Sequence, residues 1–187
     1  MPPVFSSKFI QENEQPTALE RGETMATATA PAEKAITREK LIALLNEDLA
    51  REYQAVIAYV TYSQVLKGAA YMNIAAELEV HAKEELQHAL ILANQIDYMG
   101  GMPVVVPKPV KTSEKAEEML RFDLDNENET IRNYRQRIRQ CDALGEYATA
   151  EQIRQILLQE QDHQISLATA LGIDVPNLSE PSAPSQE

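Results

Sequence analysis

A single cysteine in 187 residues leaves no partner for a disulfide and no CxxC or four-thiolate metal site. Basic residues are scarce: 17 Lys and Arg stand against 29 Asp and Glu, a formal net charge of −12. Phosphate neutralisation needs clustered Lys and Arg, so no nucleic-acid partner is expected. No apolar run reaches the roughly 18 residues of a membrane helix, so no membrane partner is expected either. The opening residues, MPPVFSSKFIQENEQP, lack the apolar stretch of about 7–15 residues that defines a secretory signal. A soluble, cytoplasmic protein is therefore the expectation. Tryptophan is absent, aromatics make up 5% and glycines number six. With many Ala, Leu, Glu and Gln, this composition favours helices over strands. Hydrophobic residues make up 44%, enough for the core of one ordinary domain.

Residues 1–36 are polar, proline-bearing and aperiodic and read as a disordered tail. Met25, within this stretch, is an alternative natural start. Four helical segments follow over residues 37–172. Thr37 can cap the first, which runs to about Lys67 and stops at Gly68. The second runs from about Ala70 to Met99 and stops at Gly100-Gly101. The third starts at Thr112-Ser113 and stops before Gly145. The fourth runs from about Glu146 to Leu171 and stops at Gly172. Residues 173–187 carry Pro176, Pro181 and Pro184 and read as a polar tail.

The first two helices are joined tightly, as are the last two, so each pair is an antiparallel hairpin. Between the hairpins lies GGMPVVVPKPVKT, residues 100–112. Extended at about 3.3 Å per residue, this segment spans roughly the length of one helix. The alternative is a wandering loop with helices two and three antiparallel. A simple turn would need far fewer residues, which favours an all-α four-helix bundle with one long crossover between helices two and three.

The hairpins repeat one pattern at an offset of 75 residues. Leu45, Leu49, Glu52, Val56 and Tyr59 map onto Leu120, Leu124, Glu127, Ile131 and Tyr134. Their spacing traces one helix face, so each stripe carries a glutamate among apolar neighbours. Glu85-Leu86-Gln87-His88 likewise maps onto Glu160-Gln161-Asp162-His163, two Glu-x-x-His motifs, while Leu78 and Leu92 map onto Ile153 and Leu167. Glu52, Glu85, Glu127 and Glu160 each lie about 14 or 15 residues from a helix start, so all four reach mid-height in the bundle.

A lone glutamate on a helix is ordinarily solvated surface. The conjunction of apolar stripe, matched depth and repeated offset is not. Four ionised carboxylates in one core are prohibitive unless paired, protonated or metal-bound. Two divalent cations would offset them, with neutral imidazoles completing the shells. Mixed carboxylate and imidazole ligands suit iron, with manganese as an alternative, better than zinc or calcium. One Glu from each of two helices and Glu-x-x-His from each of the others is the ligand pattern of di-iron and di-manganese carboxylate bundles. Glu85 and Glu160 are then expected to bridge the metals, with Glu52 and His88, and Glu127 and His163, as terminal ligands.

On these residues the chain resembles the bacterioferritin-like and Dps-like members of the ferritin superfamily. The resemblance rests on REYQAVIAYV, KEELQHA, LDNENETIRNY and EQDHQ and covers about residues 38–172. It implies a ferritin-like four-helix bundle and a ferroxidase that oxidises Fe(II) with O2 or H2O2. It also implies two iron ions per subunit and ferric mineral stored in a homo-oligomeric shell. Two departures matter. The residue that follows the helix-two ligand glutamate in bacterioferritins is the haem-binding methionine. Here it is Leu86, so no haem is expected. No fifth helix follows the fourth, which resembles 12-subunit Dps-like shells more than 24-subunit ferritins. Some of those members carry a cysteine pair near the site, whereas this chain has only Cys141.

Tyr59 and Tyr134 lie seven residues after Glu52 and Glu127. They are expected to hydrogen-bond ligand carboxylates, and Tyr59 is also a candidate one-electron donor. A satisfied core tyrosine is the simpler alternative. His81 faces inward where its repeat mate is Ile156; it reads as a hydrogen-bonded core-edge histidine or an accessory iron ligand. Cys141 reads as packing. The rival functions are a non-storage di-metal enzyme, such as a rubrerythrin-like peroxidase or manganese catalase, and a DNA-protecting Dps shell. The single cysteine argues against the rubredoxin-type module of a rubrerythrin, and the net charge argues against DNA.

Overall fold

The computed structural model describes residues 36–179. The expected tail through residue 35, the start at Met25 and the chain from residue 180 lie outside the described residues. Helix α1 spans Arg38–Val65. Thr37 sits in extended backbone and its hydroxyl accepts from the Lys40 N–H at 3.2 Å, while Glu39 places negative charge in the first turn. Such a cap contributes about 1 kcal/mol by satisfying an otherwise unpaired amide. The helix stops two residues short of Lys67. A 3₁₀ turn at Ala69–Tyr71, closed by a Tyr71 N–H to Gly68 carbonyl bond of 3.0 Å, then reverses the chain. Helix α2 therefore spans Met72–Tyr98 and starts later than Ala70.

Helix α3 spans Ala116–Leu144, so the Thr112-Ser113 cap is also corrected. The Ser113 hydroxyl accepts from the Lys115 N–H at 3.0 Å and donates to Glu118 at 2.7 Å, which closes a turn ahead of the helix. Helix α4 spans Tyr147–Leu171. Gly145 and Gly172 end α3 and α4 at φ 76° and 68°, a left-handed conformation that glycine enters without a Cβ clash.

The two largest helix interfaces are α1 with α2 and α3 with α4; α1 also packs on α3 and α2 on α4. The crossover decides the topology. Asn46 holds the Met102 carbonyl at 3.2 Å and the Val104 N–H at 2.6 Å. The Ala50 carbonyl accepts from the Lys108 N–H at 2.9 Å, and Gln54 donates to the Pro109 carbonyl at 2.8 Å. The Tyr62 hydroxyl donates to the Lys111 carbonyl. Numbers rise together on both partners, so the crossover runs along α1 in the same direction. It delivers α3 to the far end of the bundle, parallel to α2, and no wandering loop remains. At the near end, Arg38 donates to the Met99 carbonyl at 3.4 Å and pairs with Glu146 at 2.5 Å.

The core has two apolar halves. Leu41, Leu45, Leu49, Leu92, Ile96 and Ile153 fill one, and Leu66, Leu78, Leu120, Leu124 and Leu167 fill the other. Between them lies a polar layer contributed by all four helices. Val56, placed on the inward stripe by its spacing, is only half-buried, whereas Glu52 and Tyr59 on either side of it are buried. No described helix is long and apolar enough to cross a membrane.

Candidate metal centre

All six residues expected at the centre converge in that polar layer, and none is more than 3% exposed. Their arrangement has two sides. Around the His88 Nδ1 lie Glu52 Oε2 at 3.4 Å, Glu85 Oε2 at 3.1 Å and Glu160 Oε1 at 3.1 Å. Around the His163 Nδ1 lie Glu85 Oε1 at 2.8 Å, Glu160 Oε2 at 3.6 Å and Glu127 Oε1 at 3.9 Å. Glu85 and Glu160 thus offer one oxygen to each side, while Glu52 serves only the first and Glu127 only the second. Each four-residue group has ligand atoms within 4.8 Å of one another. The helices dictate this: Glu-x-x-His places both side chains on one face, one turn apart.

The donor set fits two cations. Glu52 Oε2, Glu85 Oε1, both Glu160 oxygens and His163 Nδ1 are buried without an aligned hydrogen-bond partner. His163 Nδ1 and Glu85 Oε1 are close enough to attract but lie off the hydrogen-bond direction. Unpaired polar atoms at this depth are costly, and a metal ion would satisfy several at once.

Without metal, the groups neutralise one another. Burial opposes charge on all six. The histidines overcome it at Glu85 and Glu160, whose carboxyls fall below their usual range. Burial pushes Glu52 and Glu127 well above it, aided by the neighbouring carboxylates Glu85 and Glu160. Burial works against a charged His163, but Glu160 and Glu85 hold its pKa up to about 12, and His88 is raised in the same way. Metal loading must therefore displace protons.

The tyrosines reach across the bundle. Tyr59 on α1 donates to Glu127 on α3, and Tyr134 on α3 donates to Glu52 on α1. Each supports a carboxylate on the partner hairpin, not the one seven residues earlier. His81 is 2% exposed and stacks on His163 with ring centroids 4.1 Å apart. Burial and the His163 charge lower its pKa to about 3, so it is neutral. Its Nδ1 has no hydrogen-bond partner, while its Nε2 lies 3.8 Å from Glu77 Oε1, and His81 falls with Glu84 and His163 in a third group that could hold a metal ion. Cys141 is fully buried among Leu and Ile, and burial raises its thiol to about 11, which makes it inert packing.

Several polar residues around the centre escaped the periodicity. His163 Nε2 lies 2.9 Å from Glu84 Oε2, and His88 Nε2 lies 2.9 Å from Gln159 Oε1. Each immediately precedes a Glu-x-x-His glutamate, and they are repeat mates, so the offset of 75 already paired them. Asp48 and Arg137 form a buried ion pair at 2.6 Å on one side of the polar layer. Their repeat mates are Asp123 and Tyr62. Asp123 is 2% exposed, has an unpartnered Oδ2, and is raised well above its usual range by burial and the Glu85 charge.

A four-helix bundle with one long crossover, whose central layer of four carboxylates and two imidazoles could hold metal ions, is a ferritin-like arrangement. The ferritin-like domain family model matches residues 42–174, and the chain belongs to that family. It is 28% identical over 144 residues to a bacterioferritin of Desulfovibrio desulfuricans, covering 76% of this chain and 80% of the relative. Among solved structures, it is similar to a ferritin-like, diiron-carboxylate protein from Bacillus anthracis. That match has TM-score 0.69 and 33% identity and covers 72% of this chain and 96% of that one. A dodecameric thioferritin, the bacterioferritin-related protein from Bacteroides fragilis, matches with TM-score 0.68 and 26% identity. Here 74% of this chain and 88% of that one are covered.

Proposed function

We propose that this protein is a ferroxidase that oxidises Fe(II) at a paired site within each subunit and stores the ferric product in a homo-oligomeric shell. The observation that carries the reading is the two-sided placement of Glu85 and Glu160 between two histidines, each side closed by one further glutamate. Membership of the ferritin family supports iron as the substrate. Each Fe(II) gives up one electron. A pair supplies the two that take O2 to hydrogen peroxide, or hydrogen peroxide to water, with protons taken up in either case. Glu52 with His88 would hold one ion and Glu127 with His163 the other, while Glu85 and Glu160 span both. Tyr134 and Tyr59 orient the terminal glutamates. The apolar halves above and below keep bulk water from the layer.

A shell needs surfaces that bury against copies. Ile57, Val60, Leu86 and Leu90 are all at least 44% exposed on adjoining faces of α1 and α2. Apolar residues grouped this way mark an association face. A dodecamer is favoured, because the Bacteroides fragilis neighbour is described as one. Size-exclusion chromatography with light scattering, followed by Fe(II) addition in air, tests the proposal. A particle of about twelve subunits that takes up many irons per chain is expected. A dimer that stops at two metals per chain would overturn storage in favour of a non-storage di-metal enzyme.

Tyr59→Phe deletes only the hydroxyl that holds Glu127. Loss of a hydrogen bond to a ligand costs about 10–100-fold in metal affinity or activity, so oxidation should slow by about tenfold or more. Stopped-flow absorbance of ferric species checks this. Unchanged kinetics would remove Tyr59 from the machinery, including any role as electron donor.

A further inference from the structure

The two histidines are supported unequally. Both present Nδ1 to the centre and Nε2 away from it. Behind His163 stands a carboxylate, Glu84 Oε2 at 2.9 Å; behind His88 stands an amide, Gln159 Oε1 at 2.9 Å. The two supports also touch, since Gln159 Nε2 donates to Glu84 Oε1 at 3.3 Å. A continuous chain results: His88, Gln159, Glu84, His163. Its polarity is set by the groups themselves. A carboxylate only accepts, so both neighbours donate to Glu84. The amide nitrogen of Gln159 is thereby committed to Glu84, and its oxygen is left to accept from His88. Once a cation displaces the Nδ1 proton, both rings keep their proton on Nε2 and present Nδ1 to the metal.

The supports differ in charge, not in position. They are related by the same offset of 75 residues that relates the ligands. A bond from imidazole to carboxylate is charge-assisted and about twice as strong as one to a neutral amide. It draws the proton away from the ring and makes the free nitrogen a better donor to metal.

We propose that Glu84 and Gln159 are positioning residues that make the halves of the centre unequal, so that the Glu127–His163 half fills first and the Glu52–His88 half second. This rests on the metal centre proposed above and assigns an order to its loading. A tight first half and a weaker second half let one Fe(II) wait for its partner. Oxidation is then confined to the loaded pair, which supplies the two electrons together.

Cobalt(II) binding tests the order without any turnover, through its visible absorption. Two variants of the full chain isolate the halves: Glu52→Ala/His88→Ala leaves the His163 side, and Glu127→Ala/His163→Ala leaves the His88 side. The His163 side should bind about 10–100-fold more tightly. Glu84→Gln keeps an acceptor oxygen and removes only the charge. In the first background it should cancel that advantage, and in the second it should change little. Gln159→Glu should tighten the second background by a similar factor. Equal affinities for the two halves would overturn the proposed order, as would a Glu84→Gln effect of the same size on both. If the unaltered protein bound no cobalt, the metal centre itself would fall, an outcome distinct from two equal sites.

Discussion

Glu85→Ala should reduce the rate of Fe(II) oxidation by more than about a hundredfold, since even a hydrogen-bond partner of a ligand is worth about 10–100-fold. The reason is positional. Glu85 Oε1 lies 2.8 Å from His163 Nδ1 and Oε2 lies 3.1 Å from His88 Nδ1, so one truncation strips an oxygen from both halves. Glu52→Ala or Glu127→Ala would strip only one. Stopped-flow oxidation compared across the three variants reads this hierarchy directly, and circular dichroism checks that the helices persist. The metal-free forms should differ too. Repulsion concentrates on Glu52 and Glu127, whose carboxyls are pushed up, whereas Glu85 is held ionised by His163 and His88. Removing Glu85 therefore leaves two histidines short of a counter-charge and relieves little strain. A Glu85→Ala protein that oxidises Fe(II) as fast as the parent would mean that this layer is not the site of oxidation.

Arg137→Ala should destabilise the fold by about 3–5 kcal/mol, the cost of leaving a buried charge without its partner. Arg137 is 4% exposed and Asp48 is 2% exposed. The guanidinium donates to Asp48 Oδ2 at 2.6 Å and Oδ1 at 3.3 Å, and to Gln140 at 2.8 Å. Even so, burial raises the Asp48 carboxyl more than Arg137 lowers it. The pair is thus costly to break but contributes little compared with an apolar pair of similar size. The double variant Asp48→Leu/Arg137→Met should recover most of the loss, because both desolvation costs disappear together. Chemical denaturation of parent, single and double variants distinguishes these cases. A double variant as unstable as Arg137→Ala would assign the effect to packing instead of charge.

Much of this architecture was legible in the chain. Helix periodicity says which face a residue occupies, and the offset of 75 says which residues share a height. Glu52, Glu85, Glu127 and Glu160, with His88 and His163, could therefore be placed in one layer. Helix boundaries depart from the sequence pattern where side chains compete for local hydrogen bonds. Ser113 closes a turn before α3 and does not cap it, and the chain from Leu66 to Tyr71 tightens into a 3₁₀ turn that delays α2. Periodicity carries no information about such competition, because hydroxyl and amide partners differ by less than a turn of chain.

By itself, then, the sequence determined the bundle, its long crossover, the repeat and the six converging side chains. All follow from spacing along single helices and from the low glycine and cysteine content that leaves long helices uninterrupted. Only the tertiary structure decided who meets whom. Tyr59 holds Glu127 and not Glu52, Asp48 finds Arg137, His81 stacks on His163, and Glu84 and Gln159 stand behind opposite histidines. These are contacts between helices. They depend on rotation and depth of one helix against another, which the packing of large side chains sets and no period along one chain encodes.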